Sequence, residues 1–318
     1  MINRENWKLT KKYMAYLSEV RQLDDGTVLN MRSHLRHILE WADETSFSKA
    51  ADIRPTFPRY VTDRLSAGSA GIVCGTARRF FDWLRLSNKR MSKSITELWC
   101  RSLVSKSPGR IKQYDEYTLD DVKCIVALKS ESLRVRRDKA ACAFLFLSGA
   151  RIGAFSTLPI KAIDMDNLSV KQWPELGVMT KRKKAATTFL LNLLDLLAIV
   201  REWDDLVRSH LPDDALWYAP LDADGKTLLD AKPSEKRGHK LEDRLEALCA
   251  LAGVNYRSVH NFRHGFAVYG LKNAKDLADM EAVSKNLMHK SLEITLGVYA
   301  VLNEGDVKSR IINLGVSV

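Results

Sequence analysis

The stretch HNFRHGFAVYG, residues 260–270, decides how the chain is read. Phe262, Phe266, Ala267, Val268 and Tyr269 predict a buried, aromatic-rich helix, yet Arg263 lies inside it with His260 and His264 on either side. An unpaired cation in such a place costs several kcal/mol, so Arg263 needs a partner. His260 and Arg263 are three residues apart, which puts them on one helix face about one turn from each other. Two such donors suit a tetrahedral oxyanion, because a guanidinium takes phosphate through paired, charge-assisted hydrogen bonds. A core carboxylate on Arg263 with a backbone partner for His260 accounts for the fragment equally well.

Working outward, RDKAACAFLFLSGARIGAFSTLPI reads as a buried helix broken at Ser148-Gly149 and followed by a second helix. Arg151 follows that break, where backbone N–H groups are open to an anion. VKQWPELGVMTKRKKAATTFLL reads as two or three short strands: an alternation in GVMT, a basic turn, then the β-branched TTFLL. Lys181 falls at that turn, with Lys183 and Lys184 as competitors, and a KRKK run is as readily a solvated turn. LMHKSLEITLGVYAVLN supplies His289 and, ten residues later, Tyr299, a position where a packed aromatic is the ordinary expectation.

The 318 residues are 46% hydrophobic and 28% charged, with a net charge of +11. That composition builds real cores and points to a polyanionic partner. Residues 1–110 hold twenty Lys and Arg against eleven Asp and Glu, a net of +9. TVLNMRSHLRHILEWADE predicts a helix capped at Thr27 with Val28, Met31, Leu35, Ile38 and Leu39 on its apolar stripe and Arg32 and Arg36 sharing a face. SAGSAGIVCGTARRFFDWLRL repeats the scheme with Arg78, Arg79 and Arg85. Each arginine alone reads as part of a solvated face; their summed excess suggests contacts to a phosphate backbone.

VSKSPGRIKQYDEYTLDDV, residues 104–122, interrupts the periodicity before an acidic helix start at Thr118. The expected organisation is a helical domain over 1–105, a basic linker over 106–117 carrying Lys106, Arg110 and Lys112, and a second domain over 118–318. LLDLLAIVREWDDLVRSHL, KLEDRLEALCALAG and HNFRHGFAVYGLK predict three further helices in that second domain, giving a mainly α fold with a small antiparallel sheet. Cys74, Cys100, Cys124, Cys142 and Cys249 lack CxxC spacing and read as small buried residues, with no metal site expected. No apolar run reaches the roughly 20 residues that span a bilayer, and MINRENWKLTKK lacks a signal-peptide core, so no membrane partner and a cytoplasmic location are expected.

The ordered set GARIG, TKRKK, HNFRHGFA, LMHKS and VYAVL resembles the tyrosine recombinases, or phage-type integrases, from roughly residue 118 to the end, and GTARRFFDWL resembles the last helices of that family's core-binding domain. The resemblance implies that Arg151 and Arg263 clamp the scissile phosphate, that His260 and His289 complete the pocket, that Lys181 protonates the leaving 5′ oxygen and that Tyr299 is the nucleophile. It implies a two-domain clamp on double-stranded DNA, four subunits on two sites, and accessory proteins in some systems. It implies no cofactor, consistent with the lack of a G-x-x-x-x-G-K-[ST] loop. Three positions depart from the family pattern: Ala154 stands where an acidic residue is usual, Met288 where glycine is usual, and His289 to Tyr299 is ten residues where nine is common.

The function so implied is an integrase of a mobile element, located with the nucleoid, acting through a 3′-phosphotyrosine intermediate. Alternatives are a Xer-type multimer resolvase, a conjugative-element transposase, a type IB topoisomerase, or a noncatalytic DNA-binding protein on the same fold. The tail over 300–318, with Val307, Ile311, Ile312 and Leu314, docks either on its own domain or on a neighbouring subunit.

Overall fold

The structure, a computed structural model, describes residues 2–105, 115–234 and 237–299, the side chains of Val298 and Tyr299 excepted. The chain divides into two compact units, Met1–Arg110 and Ile111–Val318.

The first unit is helical: α1 (Arg4–Ala15), α2 (Asp25–Ala42), α3 (Phe57–Thr62), α4 (Ala67–Ser87), α5 (Lys89–Ser92) and α6 (Glu97–Ser102). The expected stripe of α2 packs inward, with Leu35, Ile38 and Leu39 buried and Val28 and Met31 partly so. These meet Phe80, Phe81 and Leu84 of α4, and both phenylalanines stand edge-on to Phe47 at 5.4 Å between ring centres. Thr27 is not the cap of α2. The carboxylate of Asp24 accepts from the Thr27 N–H and hydroxyl, each at 2.8 Å, and a charged acceptor at the positive end of the helix dipole outcompetes a hydroxyl within the first turn.

The second unit is mostly helical with one small sheet. Its helices are α7 (Leu119–Val126), α8 (Leu133–Ser148), α9 (Ile152–Ser156), α10 (Leu194–His210), α11 (Arg237–Leu251), α12 (His260–Asn273), α13 (Leu277–Asn286) and α14 (Leu292–Tyr299). Thr118 caps α7 as expected, in a reciprocal box with Asp121. From Ala140 to Ser148, α8 is buried on every side, which is why its sequence shows a continuous apolar run rather than a stripe. Tyr117, inside the stretch expected to be linker, is buried in this core and stacks on Phe262 at 4.0 Å.

The sheet has the order β1 (Ile163–Asp164), β2 (Ser169–Gln172), β3 (Ala186–Phe189), antiparallel throughout, with Val170 opposite Thr188. GVMT is not a strand. After Gln172 the chain turns through a short 3-10 segment, Pro174–Leu176, and a left-handed Gly177 with φ +83°. The Met179 N–H is then taken by the Thr157 hydroxyl at 2.8 Å instead of a strand neighbour. Among the described residues no helix is long and apolar enough to cross a membrane. Cys74, Cys100, Cys142 and Cys249 are buried, whereas Cys124 is exposed on α7, where its thiol points at the Ala252 carbonyl at 3.5 Å.

Candidate active site

The break between α8 and α9 is built around Gly149, left-handed at φ +61°. A Cβ there would stand 2.8 Å from Phe266 Cδ1 and 3.0 Å from Leu287 Cδ2, so glycine is required for conformation and for space. The turn places Arg151 at the start of α9 and leaves the Gly149 carbonyl facing α12. α12 also comes close on its other side, where a Cβ on Gly265 would collide with the Tyr117 carbonyl.

Arg263 is 3% exposed. Its Nη1 donates to the Gly149 carbonyl at 2.7 Å, and Nη2 donates to the Leu287 carbonyl and lies 3.0 Å from His289 Nε2. Three described hydrogen bonds of this guanidinium thus run to main-chain oxygens and an imidazole.

His289 owes its place to the end of α13. Leu287 caps that helix and Met288 is left-handed at φ +54°. The Met288 N–H bonds the Lys285 carbonyl at 2.8 Å and the His289 N–H bonds the Ser284 carbonyl at 3.1 Å, the paired bonds of a Schellman motif. The residue after the cap in that motif is usually glycine, so the Met288 departure keeps the geometry at the cost of a backbone conformation that L residues resist. On its other side, His289 Nδ1 lies 2.8 Å from the Thr295 hydroxyl of α14.

The cations converge electrostatically. Burial, then the charges of Arg263, Arg151 and His260, push the His289 pKa down to about 4. His260 opens to solvent on one side and packs edge-on against His264 at 4.8 Å on the other. Desolvation on the packed side, then the charges of Arg263, Arg151 and Lys181, lower its pKa as well. Lys181 sits on the loop between β2 and β3, in a kinked turn where Arg182 and Lys183 have positive φ. That loop is tied to α9 by the bond from Met179 to Thr157. Of the three candidate lysines, Lys181 is the one whose charge acts on His260.

Five of the six expected residues, Arg151, Lys181, His260, Arg263 and His289, thus lie within electrostatic reach of one another. Backbone placement of Tyr299 is at the end of α14; its side chain lies outside the described residues, as do Lys106, Arg110, Lys112 and the tail over 300–318. Two residues that sequence reasoning missed hold the pocket together. Asn286 accepts from the Phe189 N–H at 2.7 Å and donates to the Phe189 carbonyl at 3.0 Å, tying β3 to the end of α13. Thr295 is the other. Neither has a local signature: both bond partners distant in the sequence or across a helix end.

The arginines of the first unit are differently placed. Arg32, Arg36, Arg78 and Arg79 are exposed. Arg36 pairs with Glu40 at 2.6 Å and Arg85 with Asp82 at 2.7 Å, while Arg79 donates to the Thr76 hydroxyl at 3.2 Å. Arg32 and Arg36 also line an apolar cleft of about 760 Å³ between α1 and α2, beside Trp7 and Leu29.

Residues 117–305, more than half of the chain, match the model of the phage integrase family. The tyrosine recombinase XerC of Escherichia coli O157:H7 is 25% identical over 292 residues, covering 90% of this chain and 89% of that protein. Among solved structures, a lambda integrase tetramer bound to a Holliday junction is similar with a TM-score of 0.63 at 13% identity, over 93% of this chain and 78% of that one. The integrase of the Tn1549 transposon, in complex with circular intermediate DNA, has a TM-score of 0.60 at 14% identity, over 98% of this chain and 99% of that one.

Proposed function

The chain belongs to the phage integrase family, and from that premise we propose that it is a site-specific tyrosine recombinase that breaks and rejoins duplex DNA without a nucleotide or metal cofactor. The observation that carries the proposal is the Arg263 guanidinium, held in a buried pocket between the Gly149 and Leu287 carbonyls and beside His289. Arg151 and Arg263 bind the nonbridging oxygens of the scissile phosphate, and His260 and His289 complete the pocket. The Tyr299 hydroxyl gives its proton to a neutral imidazole of the pocket as its oxygen attacks phosphorus; the P–O5′ bond breaks, and the 5′ oxygen leaves with a proton from the Lys181 ammonium. Phosphoryl transfer of this kind needs positioning and charge stabilisation above all. The tyrosyl ester conserves the phosphodiester bond energy, so a 5′ hydroxyl of another strand reseals it.

The exposed Arg32, Arg36, Arg78 and Arg79, with Arg85 and the linker residues Lys106, Arg110 and Lys112, are proposed to run along the phosphate backbone. The active form is a tetramer on two DNA sites, in the cytoplasm and with the nucleoid, and its role is integration or excision of a mobile element. The likeness to XerC over 90% of the chain also supports a multimer resolvase.

The test is covalent capture. Nicked duplexes carrying the element's terminal DNA should yield a denaturation-resistant protein–DNA band that vanishes in Tyr299→Phe while duplex affinity stays unchanged. Tight binding with no band would favour a noncatalytic binder. Relaxation of plasmids without sequence preference would favour a topoisomerase.

A further inference from the structure

α14 begins three residues after His289, and Thr295, fully buried in it, stands four positions before Tyr299. A chain of hydrogen bonds passes through this threonine, and its direction is fixed from one end. The Ser291 carbonyl can only accept, so the Ser284 hydroxyl donates to it, at 3.2 Å. Having spent its single proton, Ser284 Oγ accepts from the Thr295 hydroxyl at 2.8 Å. Having spent its own, Thr295 Oγ1 must accept from His289 Nδ1–H, at 2.8 Å. The proton of a neutral His289 is therefore on Nδ1, and the lone pair of Nε2 faces the Arg263 guanidinium at 3.0 Å. Each hydroxyl in this chain donates its one proton and accepts one from the next group. Ser284 is itself 3% exposed, so water does not offer easy substitutes.

We propose that Thr295 is a positioning residue of the strand-cleavage reaction: it fixes the tautomer of His289 and, through that bond, ties the helix that carries Tyr299 to the Arg263 pocket. The inference rests on the recombinase reading of the site. Arg263 and Arg151 act on His289 with positive charge, His260 adds to it only when protonated, and Thr295 of α14, backed by Ser284 of α13, meets it as a neutral acceptor. With the opposite tautomer, an Nε2–H would point at a guanidinium N–H, donor against donor, and Arg263 would be pushed off the position from which it binds a phosphate oxygen. The bond also sets the rotation of α14, because a turn of that helix about its axis would break it.

Two measurements test the proposal, one of which needs no DNA. In the unaltered protein labelled with ¹⁵N-histidine, with the His289 signals assigned by their loss in His289→Gln, the spectrum near neutral pH should show a protonated Nδ1 and an unprotonated Nε2. The reverse tautomer, or an exchanging mixture, would overturn the proposal and leave the recombinase reading intact. In the capture assay, Thr295→Val removes the hydroxyl at nearly constant volume. It should slow covalent capture by on the order of 100-fold, the scale of a misplaced reacting group, with duplex affinity unchanged, and Thr295→Ser should restore most of the rate. A Thr295→Val enzyme as fast as wild type, or a Thr295→Ser enzyme as slow as Thr295→Val, would overturn it. Should Thr295→Val fail to fold, Ser284→Ala carries the test: the freed Thr295 proton can then turn toward His289, so this variant should show the tautomer mixture that the wild type lacks.

Discussion

The positive charges of the two units are held in opposite ways. In the second unit Arg263 is buried, its fork fixed by two main-chain carbonyls and the His289 ring. In the first unit Arg32, Arg36, Arg78 and Arg79 stand in solvent, and Arg36 and Arg85, like Arg59 and Arg101, have a carboxylate three or four residues away along the chain. The first arrangement fixes the guanidinium at one point, as stabilisation of a charge that develops during a reaction requires. The second leaves side chains free to rearrange along a backbone of repeating charge, where each contact contributes little and is screened by salt. The contrast is between a guanidinium fixed at one point by the fold and side chains that can follow a partner.

The largest effect should come from breaking the fixed arrangement. Arg263→Ala removes a preorganised donor and should lower the rate of covalent capture by about 1,000-fold. It also leaves the Gly149 and Leu287 carbonyls without their donor, so stability should fall by about 1–3 kcal/mol in a denaturant titration. A loss of stability without loss of rate would make Arg263 a packing residue.

Gly149→Ala keeps every charge and disturbs only the turn. The left-handed backbone and the 2.8 Å approach to Phe266 together predict a destabilisation of about 2 kcal/mol or more, read as a lower melting temperature. An unchanged melting temperature would mean that the turn adapts and does not fix the pocket.

The pH dependence follows from the histidines. His289 has its pKa lowered from 6.5 to about 4, and His260 is shifted in the same direction. Below pH 6.5 the unfolded chain takes up protons that the folded pocket refuses, so these groups leave stability intact above that value and erode it as pH falls toward 4. Bound phosphate brings negative charge beside both rings and should raise both values. Melting temperatures measured between pH 7 and 4.5 should therefore fall less steeply with duplex DNA present than without it.

The smallest effects belong to the first unit. Arg78→Gln should reduce the slope of log affinity against log salt by roughly one unit. Arg36→Gln should reduce it by less, because Glu40 already offsets that charge. Equal slopes for both variants and the wild type would mean that these faces are merely solvated.

Much of this was legible in the sequence, for local reasons. The spacing of His260 and Arg263, the break at Ser148-Gly149 and the helix start at Thr118 are fixed by residues a few positions apart, and each stands where expected. GVMT misled because its alternation suits a strand, while Gly177 and the bond from Met179 to Thr157 take it out of the ladder. α13 and α14 were not expected, since both are short and LADMEAVSKN has no strong apolar stripe; α13 presents one buried residue, Ser284. Whether Arg263 faced a carboxylate or an anion was not decidable from HNFRHGFA. What holds Arg263 in its described bonds, the carbonyls of Gly149 and Leu287, is a main-chain feature that every residue type possesses and no sequence displays.

Those two carbonyls make the pocket hard to damage by chance. A side-chain acceptor can be lost by one base change in a codon; a main-chain oxygen cannot. The position of Arg263 is therefore insulated from substitution at the residues that hold it, and exposed to substitution mainly through the backbone turns that aim those oxygens. Gly149 and Met288, both left-handed, are those turns. Of the two, Gly149 is closed to a side chain by conformation and by space, whereas position 288 carries one. Laboratory evolution that selects for retained cleavage should accordingly fix position 149 and let position 288 drift.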